Sequence, residues 1–164
     1  MLKDRFGRII NYLRVAITNK CNFNCIYCKN SDLKIQDHPL ENFLRVIKIA
    51  NSLGIKNFRI TGGEPFIKSS IMDFFYDLAK LNINIAITTN ASLIKDSFIE
   101  KLMALKIKKI NISLDSINPE TFKNITKKND LKKVLSTIEK LKKIKSEIKI
   151  NTVLLNKINS EEIY

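Results

Sequence analysis

The sequence predicts an α/β fold: a partial TIM-type (β/α) barrel of parallel strands with outer helices, ending after about five strands. Two observations carry this. Short β-rich runs alternate with longer amphipathic stretches, and repeated βα units imply parallel strands joined by right-handed crossovers. Within each strand run, apolar side chains also fall on one face only: Leu13, Val15, Ile17; Phe58, Ile60; Ile83, Ile85, Ile87; Ile110, Ile112, Leu114; Ile148, Ile150. The alternate positions hold Arg14, Ala16, Thr18; Arg59, Thr61; Asn84, Ala86, Thr88; Asn111, Ser113, Asp115; Lys149, Asn151. A parallel sheet covered on both faces reads apolar throughout. Strands apolar on one face fit a curved sheet with helices outside, a polar lumen inside and a site at the C-terminal strand ends.

The elements follow in order. Tyr12 to Thr18 reads as a strand and leads into a cysteine loop. Pro39-Leu40 opens a helix through Phe43, Leu44, Ile47, Ala50 and Leu53 that stops at Gly54. Phe58 to Thr61 is the second strand, and Ser69 or Ser70 caps a helix through Phe74, Leu78 and Leu81. Ile83 to Thr88 is the third strand, followed by a helix near Lys95 to Leu105; Lys109 to Leu114 is the fourth. Pro119 begins a helical region to Lys145, broken around Thr126 to Asn129. Ile148 to Leu154 is the fifth strand, and Asn159-Ser160-Glu161-Glu162 reads as the start of another helix.

The 164 residues are 45% hydrophobic, enough for a packed core. No apolar run approaches the ~20 residues needed to span a bilayer, and the first residues lack a signal peptide's apolar stretch, so no membrane is expected and the location reads as cytoplasmic. The net charge of +13 suggests nucleic acid at first sight. Lysines such as Lys132-Lys133 and Lys140 to Lys145 fall on presumed helix faces, however, where they would be solvated, so no nucleic-acid partner is expected.

All three cysteines lie together in Cys21-Asn22-Phe23-Asn24-Cys25-Ile26-Tyr27-Cys28, directly after the first strand. A disulfide would leave one unpaired. A Cys₃His zinc site would need His38, ten residues beyond Cys28, whereas zinc ligands usually come as two spaced pairs. A [4Fe–4S] cluster on three thiolates is the third reading, and it leaves one iron open for a ligand. The second strand ends in Thr61-Gly62-Gly63-Glu64-Pro65. A Gly-Gly turn alone would need neither glutamate nor proline, and a backbone without Cβ admits a close approach.

The Cys-x₃-Cys-x₂-Cys motif, with Tyr27 before the last cysteine, and the Gly-Gly-Glu-Pro strand end resemble the radical S-adenosylmethionine (SAM) superfamily. The likeness narrows through Asp4-Arg5-Phe6-Gly7-Arg8, Tyr12-Leu13-Arg14, Arg59-Ile60-Thr61, Thr88-Thr89-Asn90, Asn111 to Ser116 and Lys149 to Val153, which are similar to the opening of the GTP 3′,8-cyclase family of molybdenum cofactor synthesis. The resemblance implies a [4Fe–4S] cluster on Cys21, Cys25 and Cys28. It implies SAM at Tyr27, Gly62, Gly63, Glu64 and Ser113, and GTP at Arg14, Arg59, Thr88 and Lys149. It implies that a radical from SAM takes a ribose hydrogen of GTP and the sugar carbon attacks guanine, giving (8S)-3′,8-cyclo-7,8-dihydroguanosine 5′-triphosphate. A reductant protein would feed the cluster, and the family allows a homodimer. All four of these GTP positions fall on the polar face of the strands, where three cations need anionic partners. A triphosphate would serve; so would Asp115 or Glu64.

Some residues depart from the family. Ala91 stands where it usually has glycine, which adds strain if that position needs a positive φ, and Lys29-Asn30 replace its Met-Pro. The likeness covers residues 4 to about 160, one radical SAM core domain at 1–164 that lacks the family's sixth strand and its second cluster on three further cysteines. The alternatives are another radical SAM enzyme, such as a peptide-modifying one, and a cluster- or SAM-binding remnant without turnover.

Overall fold

The computed structural model describes residues 2–28, 37–105, 107–144 and 146–163. Five parallel strands form one sheet in chain order: β1 (Tyr12–Ala16), β2 (Asn57–Thr61), β3 (Asn84–Thr89), β4 (Ile107–Ser113) and β5 (Glu147–Asn151). Between them run α1 (Leu40–Ser52), α2 (Ile71–Ala79), α3 (Asp96–Ala104), then α4 (Pro119–Thr126) and α5 (Leu131–Leu141). Because spatial order follows chain order, same-handed crossovers place every connecting helix on one face. The sheet is not closed: β1 and β5 are its two edges, as a partial barrel requires.

The core fills the space between sheet and helices. Phe58, Ile60, Ile85, Ile87, Ile110 and Ile112 of the sheet share one cluster with Ile47 of α1, Phe75 and Leu78 of α2, Leu102 of α3, and Val134 and Leu141 of α5, each at most 2% exposed. The opposite face carries the polar set. Its register sets Arg14 beside Arg59, Ala86 beside Lys109, and Asn111 beside Lys149. The period-2 pattern thus sorts the faces as read from the sequence in β1 to β4. On edge strand β5, Ile150 is 41% exposed.

Local chemistry explains most boundaries. Asn118 caps α4 by accepting from Glu120 and Thr121 N–H, with Pro119 at the first position. Lys127 ends α4 in the left-handed region at φ 59°, which makes the expected break before α5. Gly54, at φ 98°, follows α1 as expected. Several boundaries differ: β1 ends at Ala16 and not Thr18, α2 at Ala79 and not Leu81, and α5 already at Leu141. Ser70 sits at the start of α2 but makes no side-chain cap. Strand β5 stops at Asn151, because Val153 N–H turns to donate to Asp115 Oδ1 at 2.9 Å instead of continuing the ladder. Ser160–Ile163 is a short 3-10 turn, led by Asn159, whose side chain bonds Leu155 N, Asp115 O and Val153 O. Among the described residues no helix is long and apolar enough to cross a membrane. Of the basic helix-face residues, Lys132, Lys133, Lys142 and Lys143 are exposed and Lys140 pairs with Asp96 at 2.6 Å; Lys145 lies outside the described residues.

Candidate functional site

The cysteine loop begins where β1 ends. Thr18 Oγ1 accepts from Lys20 N–H at 3.1 Å and turns the chain out of the sheet. Phe23 is buried and meets Phe122 of α4 edge-on, with ring centroids 5.8 Å apart. The N–H groups of Asn24 and Ile26 donate to Thr126 O and Ile125 O, both at 3.0 Å. Those carbonyls belong to the last turn of α4, which has no intrahelical partner for them. Helix α4 therefore fixes the height and register of the loop. Its thiols are free, and burial pushes Cys25 up to about 11 and moves Cys21 in the same direction.

The glycine strand end lies directly on this loop. Gly63 N–H donates to Thr18 O at 2.7 Å and Glu64 N–H to Lys20 O at 2.8 Å. A Cβ on Gly62 would stand 2.5 Å from Thr18 O, and one on Gly63 would stand 2.3 Å from Lys20 O. The two glycines are thus required first by backbone packing on the cysteine loop, rather than by a ligand's approach alone.

Glu64, expected among the SAM-contacting residues, has its carboxylate turned away from the cavity and fully buried. Its Oε1 accepts from Phe66 N–H at 3.0 Å and Thr89 Oγ1 at 2.8 Å, and its Oε2 accepts from Asn90 N–H at 2.7 Å. Burial pushes this carboxyl up to about 7, against the pull of those three donors. Its side chain joins the ends of β2 and β3.

A cavity of about 460 Å³ opens at the C-terminal strand ends. Cys21, Cys25, Cys28, Tyr27, Gly62, Gly63, Thr88 and Ser113 all line it, so eight of the twelve residues expected to bind cofactor or substrate meet in one place. Asp115 lines it too, with both carboxylate oxygens engaged: Tyr27 Oη donates to Oδ2 at 2.6 Å and Val153 N–H to Oδ1. Burial and that carboxylate hold the Tyr27 hydroxyl well above its ordinary range. Among the described residues no three His, Cys, Asp or Glu side chains gather as a single-ion site, and His38 does not line the cavity, so a mononuclear zinc site has no geometry here. Cys21, Cys25 and Cys28 all line the cavity, and three thiols are the donor set of a multinuclear cluster that takes one thiolate per iron.

Arg14, Arg59 and Lys149 stand apart from the cavity lining, on the polar sheet face. Arg14 and Lys149 are exposed. Arg59 is half-buried, stands 5.9 Å from the Tyr12 ring centre and donates to the Asn111 amide oxygen when that oxygen is turned toward β2. Its Nε is buried and has no hydrogen-bond partner among the described residues. Among the described residues none of the three cations is in an ion pair, and the acids weighed as partners, Asp115 and Glu64, are engaged elsewhere.

A family model described as the radical SAM superfamily matches residues 15–164, and the chain belongs to that superfamily. Its enzymes use a [4Fe–4S] cluster and SAM. Within it, the chain is 43% identical over 168 residues to the GTP 3′,8-cyclase of Clostridium botulinum (strain Hall), covering 98% of this chain and 52% of that protein. It is 39% identical over 171 residues to the GTP 3′,8-cyclase of Campylobacter jejuni (strain RM1221), covering 99% and 53%. The chain thus spans about half the length of the curated relatives it matches. Among solved structures it resembles Streptococcus suis SuiB bound to S-adenosylmethionine, with a TM-score of 0.77 at 23% identity over 93% of this chain and 34% of that one. It also resembles anSMEcpe with bound AdoMet, with a TM-score of 0.69 at 23% identity over 92% and 48%. At such identities these structures show the fold.

Proposed function

We propose that this chain is the cluster- and SAM-bearing part of a GTP 3′,8-cyclase. The observation that carries the reading is the single cavity that gathers Cys21, Cys25, Cys28, Tyr27, Gly62, Gly63, Thr88 and Ser113. Its volume of about 460 Å³ falls in the range that holds small-molecule cofactors, roughly 300 to 1,000 Å³. Cys21, Cys25 and Cys28 would hold the cluster, whose chemistry when bound is one-electron reduction of the SAM sulfonium. The electron would come from a reductant protein. The backbone at Gly62-Gly63 offers carbonyls to the SAM ammonium, and Tyr27 and Ser113 flank the same space. Thr88, Arg14, Arg59 and Lys149 would receive GTP. The unpartnered Arg59 Nε and the side-by-side Arg14 and Arg59 support an anion on this face, since like charges paired across strands are unfavourable alone.

The test is anaerobic reconstitution with iron and sulfide. The expected result is one [4Fe–4S] cluster per chain, lost in Cys25→Ala, whose reduced electron paramagnetic resonance spectrum changes when SAM is added. Zinc without sulfide, or a spectrum indifferent to SAM, would overturn the cofactor reading. Guanosine triphosphate that fails to compete with a fluorescent analogue for the reconstituted chain would overturn the substrate reading.

A further inference from the structure

The loop after β3 carries a chain of largely buried polar contacts that reaches the cavity wall at Asn90 and that the proposed substrate contacts do not use. Asn90 Nδ2 stands 3.8 Å from Cys21 Sγ and 3.0 Å from Asn22 Oδ1. Ser92 decides which end of the amide faces the sulfur. Its backbone N–H donates to Asn90 Oδ1 at 3.0 Å and its hydroxyl donates to the same oxygen at 2.7 Å. A backbone N–H can only donate, so Oδ1 must face Ser92 and the NH₂ must face Cys21 and Asn22. The two amide hydrogens then meet two acceptors.

The surroundings over-determine this placement. Glu64 takes the Asn90 N–H and the Thr89 hydroxyl, and Thr89 Oγ1 in turn accepts from Ala91 N–H at 2.9 Å. Glu64, Thr89, Asn90, Ala91 and Ser92 are all at most 8% exposed. Ala91 is held at φ 62°, which costs a residue with a Cβ roughly 1–2 kcal/mol. That left-handed turn is what returns the Ser92 N–H to the Asn90 amide, so the strain sits where the amide is aimed. Asn22 is bound into the same array through Ser92 Oγ at 2.8 Å. Among the described residues Cys21 is the only thiol that a side-chain amide reaches.

We propose that Asn90 is a positioning residue for the cluster, donating an N–H···S bond to Cys21 that raises the cluster's reduction potential. The proposal rests on the cluster reading above. Donors to a ligating sulfur stabilise the more negative, reduced state more than the oxidised one. The Phe23 N–H, 3.4 Å from the same sulfur, acts in the same sense.

The test is a redox titration, followed by electron paramagnetic resonance, of the reconstituted chain and of Asn90→Ala and Asn90→Asp. The aspartate keeps the shape and the acceptor for Ser92 but turns an oxygen toward the sulfur. Both variants should hold iron and shift to lower potential, Asn90→Asp further. Full cluster content with potentials equal to wild type would overturn the proposal. Should the variants lose the cluster, hydrogen exchange of the Asn90 side-chain amide in the metal-free chain decides: it should be several-fold faster in Cys21→Ala, and an unchanged rate would overturn the proposal. A wild-type chain that takes up no cluster at all would instead sink the cluster reading itself.

Discussion

Tyr27 Oη donates to Asp115 Oδ2 at 2.6 Å, which fastens the cysteine loop to the residue that follows β4. Asp115 is 5% exposed, and its other oxygen holds the chain leaving β5 through Val153. Replacing Tyr27 with Phe keeps the ring but leaves half of a buried carboxylate unsatisfied. A hydrogen bond to a charged group is worth about 1.5–3 kcal/mol. Tyr27→Phe should therefore lower the unfolding free energy by about 2 kcal/mol in urea titration. It should also weaken the spectral response to SAM. A loss within error of zero would mean that the bond does not hold the loop.

Ala91→Gly should behave opposite to the usual Ala-to-Gly change. Deleting the buried methyl costs about 0.8 kcal/mol, whereas relieving the left-handed Cβ returns about 1–2 kcal/mol. The expected result is unchanged stability or a gain of up to about 1 kcal/mol, read by thermal denaturation. A loss above ~1 kcal/mol would show that the methyl's packing outweighs the strain.

Glu64 makes a pH-dependent contribution whose sign follows from its raised pKa. Unfolded, the group titrates near 4.5; folded, near 7. Between these values the folded chain binds more protons, so stability declines as pH rises through that window. The penalty is absent below 4.5 and complete above about 7, on the order of 3 kcal/mol. Asp4, Asp37 and Glu147 are shifted the other way, but their partners lie at the surface and they contribute little. Glu64→Gln should be less stable at every pH, because its NH₂ must face a backbone or hydroxyl donor, and it should lose this pH slope. The gap between wild type and Glu64→Gln should be wider at pH 5 than at pH 8. The reverse order in chemical denaturation would refute the assignment.

Cys25 gives a second pH signature. Its free thiol titrates near 11, whereas metal binding needs the thiolate, so cluster uptake releases protons. Reconstitution yield should fall as pH is lowered from 9 to 6.5. In the metal-free chain at pH 8, alkylation of Cys25 should lag that of the exposed Cys28, measured by peptide mass spectrometry. Equal rates would show that the loop does not bury Cys25 in solution.

The fold was legible because its signals were local. Val15, Phe58, Ile60, Ile85 and Ile87 alternate with polar neighbours, and that period alone assigns helices to one face. Asn118-Pro119 announces α4 by the same local chemistry. The cysteine spacing and the Gly-Gly strand end are local signals too, and both segments line one cavity. Contacts joining distant segments left no such trace. Tyr27 and Asp115 are 88 residues apart, and nothing in either neighbourhood announces their bond. Asn90 was visible only within a Thr-Thr-Asn likeness, since an amide's direction depends on Ser92, Asn22 and Cys21 together. Glu64 reads as part of a ligand motif, but the donors its side chain meets, on Phe66, Thr89 and Asn90, come largely from a distant strand end that no local pattern announces. The end of β5 misled because Val153 has a strand-forming side chain but its N–H finds the Asp115 carboxylate.

These 164 residues should cleave SAM without cyclising GTP. Arg14 lies on β1 and Lys149 on β5, the two open edges of the sheet, and both are exposed. Water screens such charges strongly, so an interaction worth several kcal/mol in a closed site falls to about 1 kcal/mol at ~4 Å in water. Arg59 is better placed, half-buried with an unpartnered Nε, and Arg59→Ala should weaken GTP binding at least about tenfold. A grip on phosphates still leaves the ribose free to pivot. Cyclisation needs the ribose hydrogen held against the reacting carbon, and misplacement by ~1 Å can cost about a hundredfold. SAM cleavage makes no such demand on GTP, because the groups proposed for it converge in one cavity. The assay incubates the reduced, reconstituted chain with SAM and GTP and separates the products by chromatography. Release of 5′-deoxyadenosine without cyclised nucleotide is the expected outcome. Cyclised product at the rate of a whole GTP 3′,8-cyclase would refute the claim, and would mean that Thr88, Arg14, Arg59 and Lys149 orient the ribose unaided.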